Sequence, residues 1–96
     1  MAREVVWTEP AWEDLEAAAE YIARDSEAYA AVFVEDMKAA AASLSDMAGR
    51  GQIVPEIGDA SIRELLVRPY RLVYQLSEEQ VRILAVIHGA RRAWRT

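Results

Sequence analysis

The chain has 96 residues, is 53% hydrophobic and contains no cysteine, which gives one domain (residues 1–96) with a single two-layer core and excludes disulfides, thiolate metal sites and cysteine nucleophiles. Its net charge of −5 is lopsided: residues 1–48 carry three bases against eleven acids, whereas residues 49–96 carry eight arginines against five acids. No apolar run approaches the ~18 residues that span a bilayer, and the start, MAREVVWTEP, lacks the apolar stretch of a signal peptide, so a cytoplasmic protein without a membrane partner is expected.

Glu4-Val5-Val6-Trp7 is short, β-branched and aromatic and reads as a first strand. Thr8-Glu9-Pro10 then marks a helix start: Thr8 caps, Pro10 fits the first turn, and Glu9 suits the positive end of the helix dipole. The first helix runs from about Glu9 to Arg24, with Trp12, Leu15, Ala19 and Ile22 as its apolar stripe. Asp25 or Ser26 caps a second helix from about Glu27 to Ala48, whose apolar face is Tyr29, Val32, Phe33, Met37, Ala40, Ala41, Leu44 and Met47. The short link makes the two helices an antiparallel pair.

Residues 49–61, GRGQIVPEIGDAS, are glycine-punctuated and read as a loop. The periodicity then changes from 3.6 to 2. Strands are predicted over Ile62–Val67, Tyr70–Leu76 and Gln80–His88, with a break at Pro69-Tyr70 and a turn at residues 77–79. Val81, Ile83, Ala85 and Ile87 alternate onto one face of the last strand. The order β-α-α-β-β-β predicts an α+β fold, a helix hairpin packed on one face of a mainly antiparallel four-stranded sheet. The first strand is placed beside the last or at an edge, and the second sheet face is left open.

On that open face, hairpin geometry brings Arg71 level with His88, the only histidine. Histidine serves as a general acid or base near neutral pH. Arg71 and Arg63 suit a phosphate, and Glu56 or Glu64 completes an acid–base pair for metal-free RNA cleavage. The plainer alternative pairs Arg71 with Glu64 across the sheet and makes His88 a strand-end residue. One histidine and no cysteine give no metal set, and no phosphate-binding glycine loop precedes a helix, so no cofactor is expected. Trp12 is expected in the core. Trp94, after Arg91 and Arg92, either stacks on a partner or closes the core edge, and residues 90–95 are read as one helical turn.

The series VWTEPAWEDLEAAAEYIARDS, GRGQIVPEIG, IRELLVRPYRLVY and RILAVIHGARR resembles, over nearly the whole chain, the RelE/ParE superfamily of type II toxin–antitoxin toxins. The resemblance implies the same β-α-α-β-β-β fold. It also implies a growth-arresting toxin neutralised by a small DNA-binding antitoxin, whose helical or disordered C-terminal tail folds on binding. The ParE-like branch, to which plasmid stabilisation belongs, poisons DNA gyrase by binding. The RelE-like branch cleaves mRNA on the ribosome; there Arg71 and His88 match functional positions, Glu56 lies where a carboxylate is expected, and Arg63 is the further catalytic candidate. The acidic charge, the single lysine and the absence of a tyrosine after His88 favour the ParE-like branch. RelE-like cleavage is the alternative, and a non-toxic antitoxin-binding module the third. Arg71, Arg91, Arg92, Trp94, Tyr29 and Phe33 are the residues expected to meet target or antitoxin.

Overall fold

The computed structural model describes residues 2–89. Strand β1 (Glu4–Trp7) leads into α1 (Glu9–Ala23) and α2 (Glu27–Ser43), followed by a short 3-10 helix at Ala48–Arg50. Strands β2 (Gln52–Ile53), β3 (Ile62–Val67), β4 (Tyr70–Leu76) and β5 (Gln80–His88) complete the order. The sheet runs β1-β5-β4-β3-β2, with β1 parallel to β5 and the other neighbours antiparallel. This is the expected α+β arrangement with a fifth strand: the glycine-punctuated segment pairs Gln52 and Ile53 with Glu64 and Arg63.

Both helices start on their sequence caps. Thr8 Oγ1 accepts the Ala11 N–H at 3.3 Å and Ser26 Oγ accepts that of Tyr29 at 3.0 Å, satisfying donors that no helical carbonyl reaches. Helix α2 stops at Ser43 rather than Ala48. There the Ser43 hydroxyl bonds back to the Ala40 carbonyl at 2.7 Å and accepts from Arg50 Nη1 at 2.8 Å, a side-chain competition that favours helix ends.

The expected apolar faces hold in part: Leu15, Phe33, Met37, Ala41 and Leu44 are buried as expected, whereas Trp12, Tyr29, Val32 and Met47 are exposed. Ala11, Leu15 and Ala18 of α1 and Ala30, Phe33, Met37 and Ala41 of α2 are buried, together with Leu72, Tyr74, Val81, Ile83 and Val86 of the sheet. Alanines at the contact let helix and sheet backbones approach, so the larger Tyr29, Val32 and Met47 stay on the outer flank. Trp12 is likewise not core: it is 39% exposed, edge-on to Trp7 with ring centroids 5.6 Å apart, and Lys38 Nζ lies 5.8 Å from its ring centre.

The largest departure from simple alternation is a bulge in β5. Tyr74 pairs with Ile83 and Val73 with Ala85, so Leu84 has no partner on β4. One extra residue reverses the facing of everything beyond it. Val81 and Ile83 face the helices, and after the bulge Val86 does so too. Ala85 and Ile87, expected beside Ile83, pack on the opposite face with Val54, Val73, Ile57 and Ile62. That opposite face is thus partly covered by the segment after β2, where the alternation alone left it open.

Tyr74 pins this segment. Its hydroxyl donates to the Ala48 carbonyl at 2.7 Å and accepts the Gly51 N–H at 3.0 Å. Gly51 is required here, because a Cβ would stand 2.5 Å from that hydroxyl and 2.6 Å from the Glu64 carbonyl oxygen. Burial pushes the Tyr74 phenol above the ordinary tyrosine range, with the Gly51 hydrogen bond and the charges of Arg63 and Arg50 pulling the other way.

Deleting Leu84 should remove the bulge yet leave Ala85 and Val86 on their present faces, because Ile83 and Ala85 then pair with Tyr74 and Val73 as consecutive residues, so stability measured by urea unfolding should fall by less than about 3 kcal/mol. Tyr74→Phe should cost about 1–3 kcal/mol at pH 7, because the Ala48 and Gly51 backbone groups lose their partner. The raised phenol contributes fully below the unfolded pKa of about 10 and loses its contribution as pH rises through the folded value. The stability gap between wild type and Tyr74→Phe should therefore narrow above about pH 10.

Candidate functional site

The candidate catalytic residues are divided between the two sheet faces. Arg71 pairs with Leu66 and Ile87, and Glu64 with Val73, which puts both on the face away from the helices. Arg71 Nη1 stands 3.1 Å from Glu64 Oε1, and Nη2 donates to the Gly89 carbonyl at 3.2 Å. The cross-sheet pair that the sequence allows is therefore formed, and two arms of the guanidinium are engaged.

His88 pairs with Tyr70, a helix-side residue, and its ring stands edge-on to the Tyr70 ring with centroids 5.2 Å apart. The expectation that His88 and Arg71 project together is corrected by the bulge at Leu84, which turns His88 toward α1. Arg63 faces the helix side opposite Tyr74. Its Nε donates to the Ala60 carbonyl at 3.1 Å, and its Nη1 to the carbonyls of Gly51 at 3.1 Å and Gly49 at 3.5 Å. It clasps the two ends of the segment between the 3-10 helix and β3. Glu56 is exposed in that segment, and the hydrogen-bond partners of Arg63 and Arg71 are backbone carbonyls and Glu64.

Two of the expected partner-binding residues also separate. Tyr29 is exposed, but Phe33 is 4% exposed and packs against Tyr70 at 5.0 Å between ring centroids, so it supports the core. Arg91, Arg92 and Trp94, and the helical turn expected there, lie outside the described residues.

The cleft that the bulge creates was not anticipated. It is an open space of about 740 Å³ between α1 and the end of β5, lined by Asp14, Ala17, Ala18, Tyr21, Tyr70, Val86, Ile87 and His88. Asp14 Oδ2 accepts the Val86 N–H at 3.1 Å, satisfying a strand-edge donor beyond the end of β1. The sequence signal was present: Asp14, Ala18 and Tyr21 fall at i, i+4 and i+7 on one helix face. Among the described residues no group of three or more histidine, aspartate or glutamate side chains gathers to hold a metal ion. No described helix is long and apolar enough to cross a membrane.

Known proteins match this geometry and sequence. A solved structure described as the chromosomal ParDE toxin–antitoxin system from P. aeruginosa contains a chain 23% identical, with a TM-score of 0.74 over 91% of this chain and 96% of that one; that likeness bears on the fold. Toxin RelE2 of Caulobacter vibrioides is 36% identical over 89 residues, covering 92% of this chain and 97% of that protein. The family model for the ParE toxin of the type II toxin–antitoxin system parDE matches residues 5–93. The chain belongs to the ParE toxin family within the RelE/ParE superfamily, as a toxin of a type II toxin–antitoxin system, which implies an antitoxin partner.

Proposed function

We propose that this toxin arrests growth by binding DNA gyrase in the cytoplasm, with no covalent chemistry of its own, and is neutralised by a small antitoxin whose C-terminal segment folds against it. The observation that carries this reading is the separation of the acid–base set. Arg71 is held by Glu64 and Gly89, Arg63 is committed to backbone carbonyls, and His88 faces α1 from the other side of the sheet. General acid–base catalysis requires groups within hydrogen-bond reach of one reacting centre, and these residues do not converge on one. The net charge of −5 also opposes the phosphate contacts on which RNA binding depends. On this reading the target meets the chain through its arginines, Arg91 and Arg92 among them, and Trp94.

A second reading, cleavage of ribosome-bound mRNA, has one observation in its favour, the similarity to a protein named Toxin RelE2. Purified toxin added to gyrase and, separately, to translating ribosomes distinguishes the two. Blocked supercoiling with intact mRNA is the expected result; unaffected supercoiling at saturating toxin overturns the gyrase reading, and new mRNA 5′ ends in the ribosomal A site support the second. His88→Ala and Glu56→Gln should each change growth arrest less than about threefold, where loss of a general acid or base costs about 10²–10⁴-fold.

A further inference from the structure

Arg71 is better placed to hold the chain than to hold a ligand. Its two terminal nitrogens reach in different directions, one to Glu64 Oε1 on β3 at 3.1 Å and one to the Gly89 carbonyl just past β5 at 3.2 Å. Gly89 is fixed from its other side as well. Its N–H donates to the Pro69 carbonyl at 2.6 Å, and a Cβ on Gly89 would stand 2.8 Å from that same oxygen. Both backbone groups of Gly89 are thereby tied to the strand pair beside it, and no room is left for a side chain.

The planar fork of a guanidinium suits this bridge, because one group serves two acceptors at fixed angles. The Arg71 and Glu64 side chains are 25% and 16% exposed, partly shielded from water, where a charge-assisted bond holds better than on an open surface. The chain that continues from Gly89 carries Arg91, Arg92 and Trp94.

We propose that Arg71 is a positioning residue: braced by Glu64, it fixes the Gly89 carbonyl and so the end of β5, from which the sequence continues to Arg91, Arg92 and Trp94. Its consequence for growth arrest rests on the reading that these residues meet the target. Its physical content, the restraint on Gly89, stands apart from the target's identity.

The test compares wild type with Arg71→Ala and with the reversed pair Glu64→Arg plus Arg71→Glu. The reversed pair restores opposite charges between β3 and β4, but a carboxylate at position 71 cannot donate to the Gly89 carbonyl. Amide hydrogen exchange at Gly89, read by NMR on the purified toxin, should accelerate about tenfold or more in both variants while Val73 stays protected. Growth arrest should be lost in both. Wild-type exchange at Gly89 in Arg71→Ala overturns the proposal, as does recovery of growth arrest in the reversed pair, which would make the ion pair alone sufficient. Lost arrest with unchanged Gly89 exchange would place Arg71 in direct contact with the target and overturn it equally. None of these measurements uses gyrase, so a wild type that leaves supercoiling untouched sinks the gyrase reading and leaves the positioning of Gly89 standing.

Discussion

The sheet changes sides at Leu84, and both surfaces of the molecule follow from how the chain manages that change. Strand β1 ends at Trp7, opposite Ile83. Thr8 closes the junction: its N–H and its hydroxyl both donate to the Ile83 carbonyl, at 3.1 Å and 2.7 Å. Beyond it no strand among the described residues lies on that edge of β5, and Asp14 of α1 takes the Val86 N–H. Exposed edge donors invite unwanted strand pairing unless they are covered. Here a helix carboxylate does the covering, and the bulge turns the end of the strand toward that helix. The price is a switch in facing that carries His88 to the α1 side and Ile87 to the other.

The segment between α2 and β3 depends on that same sidedness. Ala85 and Ile87 face away from the helices, and Val54 and Ile57 pack on them and on Val73. The segment is held at its ends by Tyr74, which binds Ala48 and Gly51, and by Arg63, which binds Gly49, Gly51 and Ala60. Asp59 closes its turn by accepting from both the N–H and the hydroxyl of Ser61, which holds its carboxyl below the usual range. Two residues with the look of chemistry, a tyrosine and an arginine, are thus occupied in fastening a loop.

This bears on how the arginine-rich half is understood. A cluster of arginines in an acidic chain suggests a surface for anions. Arg63 and Arg71 are instead engaged internally, the first with backbone carbonyls and the second with Glu64 and Gly89. Arg71 thereby anchors the exit from β5.

The element order, both helix caps, the three long strands and the family resemblance were all legible in the chain, because caps, glycine punctuation and the change of period from 3.6 to 2 are local signals. The Arg71–Glu64 pair was legible too, as the plainer of two alternatives, since antiparallel strands place opposite charges within reach. The facing of His88 was not. Alternation in VRILAVIH is equally regular with or without a bulge, and only the competition for edge hydrogen bonds among Thr8, Ile83, Asp14 and Val86 places one at Leu84. The edges of the helix stripes were hidden for a similar reason: Leu15, Phe33 and Met37 are buried as their spacing suggests, but Trp12, Tyr29 and Val32 fit the same stripes and stay exposed, while Ala11, Ala18 and Ala30 are buried. Local composition determined which elements form and in what order; tertiary packing decided which face each side chain occupies, because a single unpaired residue costs little locally and redirects everything after it.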